Sequence, residues 1–269
     1  NKRGKFLLLL LCFLGGYMIY KELVNWLMLA EYKKITNKKK IELLHNYENI
    51  NEICSILNLN QEEKIDKYIK YMQEKNIQVI TYYDKDYPKQ LKNLYDAPIA
   101  IYAIGNCKIL NRKNKIAVIG ARKASNYGIN IARQIGGFLS KNNIHTISGL
   151  ALGIDVNSHL GVLKENSVNS TSGRAIAVIG NGLDNIYPYQ NREIAKKIIN
   201  NDGCIVSEYI VGTKPLKNNF PARNRIISAL ADKLVVVEAE NEKSGTMITV
   251  DFSLELGKEI YVCLLYTSP

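Results

Sequence analysis

Two short segments of the sequence place arginines where a strand gives way to a helix. Gly120-Ala121-Arg122 is the first segment, and Phe220-Pro221-Ala222-Arg223-Asn224-Arg225 is the second. A guanidinium group matches phosphate oxygens in a planar fork, and an exposed aromatic ring can stack on a base. These residue types therefore predict a pocket for a nucleic-acid strand rather than for a small metabolite.

The composition agrees with a polyanionic partner but does not establish one. Lys and Arg number 36 against 25 Asp and Glu, which gives a formal net charge of +11. A basic balance of this kind favours nucleic acid as a partner. The sequence is also rich in Lys, Asn and Ile, a bias that AT-rich coding produces without any function. The inference must therefore depend on where the arginines lie.

The cysteines and histidines form no metal or redox motif. The 5 cysteines are scattered without a C-x-x-C pair, and the 3 histidines are His45, His145 and His159. Metal sites need ligands at short, regular spacings. We therefore expect reduced thiols in a cytoplasmic protein without a metal, and a His159 that is packed or hydrogen-bonded rather than catalytic.

The elements that position the arginines follow a regular order. Residues 21–75 have helical periodicity with short polar breaks, which predicts a small helical module. From Lys115 onward, short β-branched strands alternate with helices, as in a parallel sheet that is covered on both faces. We predict an α/β fold, an extended Rossmann-like parallel sheet over residues 76–262 with the small helical module before it. The predicted strands are Ile116–Ile119, His145–Ile147, Ala175–Ile179, Cys204–Ser207, Leu234–Glu238 and Glu259–Val262.

Loops that follow these strands must meet at one edge of the sheet. Right-handed crossovers place every carboxyl end there, and ligands of such folds bind at that edge. Small residues in the loops let backbone amides approach a phosphate. Gly180-Asn181-Gly182 lacks the third glycine of the dinucleotide fingerprint, so we expect no cofactor. The edge contains Gly120 to Lys123, Ser148-Gly149, Lys217 and Ser244-Gly245, together with a helix predicted over Arg223–Leu230.

The charges at this edge predict an electropositive pocket. A single arginine near a helix N-terminus is more often solvated or paired with a glutamate than bound to a ligand. Here the sequence offers no obvious carboxylate for each of four cations at the same edge. These are Arg122, Lys217, Arg223 and Arg225.

Both ends of the chain have unusual features. Lys2-Arg3-Gly4-Lys5 precedes an apolar run of about 15 residues, whereas a membrane-spanning helix needs about 20. We therefore interpret residues 1–20 as an apolar leader of which residues 1–17 are translated upstream sequence before a start at Met18, or as a signal peptide, or as a membrane anchor, in that order of preference. Residues 263–269 resemble translated adapter sequence. We expect a fragment of a longer protein without stable membrane association.

The ordered motifs resemble those of the DNA-processing protein A family, called DprA or Smf. The resemblance covers about residues 80–262, and residues 21–75 fit the SAM-like helical module that many members carry. The loop Glu165–Arg174 is longer than expected, and the family usually continues past the end of this chain, often into a winged-helix-like domain. The matching motifs are Tyr87-Pro88, Gly120-Ala121-Arg122, Ser148-Gly149-Leu150-Ala151, Gly153-Ile154-Asp155, His159-Leu160-Gly161, Gly182-Leu183-Asp184, Tyr187-Pro188, Ser207-Glu208-Tyr209, Phe220-Pro221, Arg223-Asn224-Arg225, Glu238-Ala239 and Lys243-Ser244-Gly245-Thr246.

The resemblance implies a protein that binds DNA without catalysing a reaction. Such a protein is a homodimer that holds single-stranded DNA in a basic pocket and hands it to RecA recombinase in natural transformation. The DNA-binding residues predicted from these motifs and loops are Gly120, Arg122, Lys123, Ser148, Gly149, Lys217, Phe220, Arg223, Asn224, Arg225, Ser244 and Gly245.

An enzyme with a similar sheet is the alternative. Nucleotide phosphoribohydrolases of the lysine-decarboxylase-like group use a glycine-rich loop that is followed by a glutamate. Here Ser244-Gly245-Thr246 leads into Met247-Ile248-Thr249, with no carboxylate where the chemistry needs one. Glu208 and Glu238 remain as substitutes, although the sequence offers neither a partner for acid–base catalysis.

Overall fold

The chain forms two compact units. The computed structural model describes residues 20–169, 171–239 and 244–263, and the units divide between Ala103 and Ile104. The predicted leader before Tyr20 and the chain end after Cys263 lie outside the described residues. In the part that is described, no helix is both long and apolar enough to cross a membrane.

The first unit contains the predicted helical module and two antiparallel strands. Apolar residues at helical spacing, such as Ile65, Ile69 and Met72, form the buried face of one helix. The structural division falls after the first strand and most of the second, so the domain boundary expected after residue 75 stays a prediction. The elements are α1 (Tyr20–Glu31), α2 (Asn37–Asn46), α3 (Ile50–Ile56), α4 (Glu62–Glu74), β1 (Gln78–Thr81) and β2 (Ala100–Gly105).

The second unit is a parallel sheet with helices between its strands, as predicted. Except for the last strand, which is mostly exposed, its strands are rich in buried Ile, Val and Ala because helices cover both faces. The strands are β3 (Lys115–Gly120), β4 (His145–Ser148), β5 (Ala175–Ile179), β6 (Cys204–Ser207), β7 (Lys233–Glu238) and β8 (Glu259–Val262). The helices are α5 (Asn126–Lys141), α6 (Ile154–Asn166), α7 (Arg192–Asn200), α8 (Asn219–Leu230) and α9 (Gly245–Glu255).

The order of these strands reverses beside β3. They lie in the order β6-β5-β4-β3-β7-β8, and each neighbouring pair is parallel. Loops that leave β3 and β7 therefore diverge, which opens a crevice of the kind in which α/β folds bind ligands. The predicted Rossmann-like fold is confirmed, and this crevice lies beside the first arginine motif.

Helix α8 begins earlier than the sequence pattern predicts. It starts at Asn219 instead of Arg223, so Phe220 and Pro221 lie in its first turn. Proline is tolerated there because the first N–H groups of a helix have no intrahelical acceptor. The aromatic ring and the two arginines therefore project from one continuous helix.

Candidate nucleic-acid interface

A cleft of about 270 Å³ occupies the point where the strand order reverses. The loops after β3 and β4 form its walls together with the beginnings of α8 and α9. It lies within the second unit. The structure brings together at this cleft the predicted residues Gly120, Arg122, Arg223, Asn224, Ser244 and Gly245.

Arg122 is the exposed cation of the cleft. Its guanidinium carbon lies 5.6 Å from the centre of the Phe220 ring, in a cation–π arrangement. Phe220 is half-buried, and its ring centre lies 5.7 Å from that of Tyr187. No ion pair involves Arg122 among the residues that the structure describes. A phosphate can therefore approach the guanidinium while a base approaches the two rings.

Arg223 is buried below the cleft surface. Only 3% of the residue is exposed, and its guanidinium donates hydrogen bonds to the Val178 carbonyl and, at 2.8 Å, to the Gly149 carbonyl. Its Nε donates to Asn224 Oδ1 at 3.1 Å. Burial lowers the pKa of Arg223 to about 10, so the group stays charged at neutral pH. Arg223 thus joins α8 to the ends of β4 and β5.

Gly149 provides the space that Arg223 occupies. A Cβ at this position would lie 2.5 Å from Nη1 of the guanidinium. The Gly149 amide donates at 3.1 Å to the buried Asp155 carboxylate. Burial raises the pKa of Asp155, while the Arg223 charge and two backbone amides act in the opposite direction. The glycine is thus needed for internal packing.

Ser148 lies in the interior rather than at the surface. Its hydroxyl donates a 2.6 Å hydrogen bond to the Val118 carbonyl, and the residue is fully buried. A DNA contact through this hydroxyl would require breaking that bond and opening the sheet edge. Ser148 is therefore not expected to contact DNA directly.

Arg225 forms a buried ion pair with Glu208. Two hydrogen bonds, of 2.7 and 3.2 Å, join its guanidinium to the two carboxylate oxygens. The side chains are only 7% and 10% exposed. The expectation that the sequence offers no carboxylate for Arg225 is therefore wrong. Glu208 directly follows β6 and lies 17 residues before Arg225 in the sequence, so no local pattern predicts that the two side chains pair.

The second candidate carboxylate of the hydrolase alternative is also engaged in the fold. Glu238 accepts hydrogen bonds from the Ser125 amide at 3.1 Å and from its hydroxyl at 2.9 Å. Ser125 in turn caps α5 by accepting from the Gly128 amide. Glu208 thus holds α8 and Glu238 holds the start of α5, and these structural contacts do not favour acid–base catalysis by either carboxylate.

The first turn of α9 presents backbone amides to the cleft. Asn224 Nδ2 donates to the Gly245 carbonyl at 3.1 Å and so joins α8 to this turn. Gly245 is exposed, with open space where a side chain would project. Ser244 Oγ has no hydrogen-bond partner among the described residues. Amides in the first turn of a helix have no intrahelical acceptor, so this turn is suited to bind an anion.

The two predicted lysines lie outside the cleft lining. Lys123 follows Arg122 and is exposed, and Lys217 is exposed in the segment that precedes α8. Within the described ranges, Lys217 takes part in no ion pair. It is therefore available to a phosphate next to the cleft rather than inside it.

The predicted set omitted Tyr187, although its ring lies beside that of Phe220. Tyr187 is 46% exposed and lies against Phe220. A signal was present in the sequence, because Tyr187-Pro188 lies in the loop after β5, at the same edge as the arginines.

Gly153 was also omitted from the predicted set. Its φ of +77° favours glycine, and a Cβ there would clash with the carbonyls of Ala121 and Arg122.

Comparison with known sequences identifies relatives of this chain. The family model of DNA recombination-mediator protein A matches residues 78–266. Protein Smf of Synechocystis sp. is 38% identical over 198 residues, which are 72% of this chain and 48% of that protein. The chain therefore spans about half the length of that relative.

Two solved structures share the fold. DNA processing protein A from Streptococcus pneumoniae has a TM-score of 0.70 and 28% identity, over 91% of this chain and 88% of that one. DNA processing protein A from Helicobacter pylori, described for its single-stranded DNA binding mode, has a TM-score of 0.62 and 30% identity, over 71% and 83% of the two chains. Together with the family match, the sheet and its loop motifs establish that this chain belongs to the DNA recombination-mediator protein A family.

Proposed function

We propose that this protein binds single-stranded DNA at the cleft and acts in DNA processing during recombination. The observation that carries the proposal is the exposed Arg122 guanidinium beside the half-buried ring of Phe220, at the edge where α/β folds bind ligands. The single-stranded DNA binding described for the Helicobacter pylori relative supports it.

The proposed contacts divide by chemistry. Arg122, Lys123, Lys217 and the amides of Ser244 and Gly245 meet phosphates, and Phe220 and Tyr187 meet bases. Phosphate contacts provide affinity without sequence preference, while stacking contributes about 1–3 kcal/mol per base. Unpaired bases expose their faces and duplex bases do not, so rings at the cleft favour a single strand.

The buried arginines have a positioning role in this proposal. Arg223 holds Gly149 and Asn224, and Asn224 holds the first turn of α9. Arg225 and Glu208 fix α8 against the end of β6. Gly120 gives the cleft wall its close approach to Ile154. These residues act on DNA through the shape that they maintain.

No covalent step is needed for this function. The protein would protect a strand and present it to RecA recombinase, as a homodimer in the cytoplasm. These partners come from the resemblance to the family. A filament-assembly assay on DNA coated with single-strand-binding protein tests the RecA step, and unchanged assembly rates with this protein would contradict it.

Charge reversal at Arg122 tests the binding site. We expect Arg122→Glu to weaken oligothymidylate binding at least about tenfold, because a repelling carboxylate replaces a phosphate ligand. Fluorescence anisotropy at several salt concentrations measures the affinity, with duplex DNA as the competitor.

Lys141→Glu is the matched control. Lys141 is exposed in the last turn of α5, and crossover helices end at the opposite edge of the sheet. It changes the net charge by the same amount as Arg122→Glu. Equal weakening by both variants would show that net charge, rather than the cleft, determines binding.

A further inference from the structure

We propose that the binding surface continues beyond Phe220 and Tyr187 onto Tyr189 and Arg192, which form a second stacking position for a base. This inference rests on the proposed function, because it extends the same surface. It assigns binding to two residues that lie outside the family motifs, which at this point of the chain end with Tyr187-Pro188.

Tyr189 and Arg192 repeat the arrangement found at the cleft. The Arg192 guanidinium carbon lies 4.5 Å from the centre of the Tyr189 ring, as Arg122 lies 5.6 Å from Phe220. Tyr189 is 69% exposed, so the ring is accessible to a base despite the guanidinium over one face. A cation beside a stacked base is well placed for the adjoining phosphate.

Tyr187 connects the two positions. It lies against Phe220 and is separated from Tyr189 only by Pro188. Both tyrosines follow β5 and therefore lie at the same sheet edge as the cleft. A strand that leaves Phe220 can pass from Tyr187 to Tyr189 without crossing a stretch of apolar or acidic surface in the chain between them.

The turn that carries Tyr189 is anchored to the cleft wall. Asn191 is 4% exposed, and its Nδ2 donates to the Leu150 carbonyl at 2.8 Å. Leu150 directly follows Gly149, whose carbonyl accepts from Arg223. Arg192 is oriented in turn by a 2.8 Å hydrogen bond from Nη2 to Asn185 Oδ1. The second position is therefore held by the network that shapes the first.

The charge of Arg192 is available to DNA. The neighbouring acid, Glu193, forms an ion pair of 2.7 Å with Lys196. Within the described ranges no carboxylate pairs with Arg192. Its hydrogen-bond partner Asn185 is neutral, so the guanidinium keeps its full charge for a phosphate.

A similar cation–tyrosine pair in the first unit provides the control. Lys38 Nζ lies 4.2 Å from the centre of the Tyr95 ring, which is 75% exposed. Such pairs also occur where nothing indicates DNA binding, so the pair alone carries no function. Its continuity with Tyr187 and Phe220 distinguishes Tyr189.

Oligothymidylates of graded length test the extension. With strands of about 16 nucleotides we expect Tyr189→Ala to weaken binding about fivefold, the lower range for one lost stack, and with about 4 nucleotides to leave it unchanged. Tyr189→Phe should retain the affinity, and Arg192→Gln should reduce the salt dependence for long strands only. Abasic residues at the end of the long strand that reaches Tyr189 remove the base that would stack there. Such strands should therefore bind the wild type and Tyr189→Ala with equal affinity.

The outcomes separate this inference from the proposed function. If Arg122→Glu abolishes binding but Tyr189→Ala binds every strand like wild type and like Tyr95→Ala, the extension is wrong and the cleft stands. Equal losses on short and long strands would also overturn it. If wild type binds no single strand, the proposed function itself fails.

Discussion

The exposed rim of the cleft and its buried floor use the same residue type differently. By the rim we mean Arg122, Lys217 and Phe220, and by the floor we mean the two buried arginines of α8, Arg223, which lines the cleft, and Arg225, which does not. On the rim, Arg122 has a ring beside it and no carboxylate among the described residues. On the floor, Arg225 has two hydrogen bonds to Glu208. An arginine in a binding motif can therefore act either on the ligand or on the fold.

Desolvation explains the difference. A buried charge loses its hydration. The lost solvation energy must be compensated by hydrogen bonds to carbonyls, as for Arg223, or by an opposite charge, as for Arg225. An exposed guanidinium keeps its hydration until a phosphate replaces the water. Mutations on the floor should therefore change stability first, and mutations on the rim should change affinity first.

The largest effect is expected at the floor. Arg225→Ala leaves the Glu208 carboxylate buried without its main partner, which should lower the free energy of unfolding by about 3–5 kcal/mol. Urea denaturation measures this loss. Arg122→Ala should stay within about 0.5 kcal/mol of wild type, because it removes an exposed side chain. Equal stability of both variants would abolish the distinction between rim and floor.

The fold could be predicted from the sequence more completely than the site. Strands such as Ala175–Ile179 and Cys204–Ser207 appear at their predicted bounds, because β-branched runs between polar loops are a local signal. Parallel crossovers then bring Arg122 and α8 to one edge. Six of the predicted residues line the cleft, whereas others, such as Ser148 and Lys217, lie outside its lining.

The sequence could not assign the roles of these residues. Arg223 and Arg225 lie on the same helix as Phe220, but their partners are Gly149 and Glu208, which lie in loops after other strands. Burial and pairing depend on which segments meet in space, and no local spacing contains that information. Tyr187 was missed for the same reason, since its contact with Phe220 joins the loop after β5 to the first turn of α8.

A buried histidine without a hydrogen-bond partner shows what happens to an ionisable side chain that lacks the compensation found on the floor. His159 on α6 is fully buried, and neither ring nitrogen has a hydrogen-bond partner within the described residues. Burial lowers the pKa of His159 to about 3, because no group compensates the charged form. Whereas Arg225 remains charged through Glu208, His159 must remain neutral while the chain is folded.

Acid should therefore destabilise the fold through His159. In the unfolded chain His159 binds a proton near pH 6.5, and in the folded chain only near pH 3. The folded state is therefore not penalised by His159 above about pH 6.5, and the free energy of unfolding falls as the pH decreases below that value. Between pH 7 and pH 5 the loss is about 2 kcal/mol. His159→Leu should remove this part of the pH dependence in urea titrations. An unchanged dependence would mean that His159 binds its proton as readily in the folded chain as in the unfolded chain.

The smallest effect is expected for a single lysine on the rim. Lys217→Gln should weaken single-strand binding modestly and lower the slope of log affinity against log salt by about 0.7, the value for one phosphate contact on a single strand. Lys141→Gln removes the same charge from the opposite edge and should leave the slope unchanged. Because both lysines are exposed, thermal unfolding should not distinguish the variants from wild type. If Lys141→Gln lowers the slope as much as Lys217→Gln does, the strand does not follow the rim. Lys217 would then not be a contact residue, and the assignment of DNA contacts to the rim and of positioning to the buried arginines would be wrong.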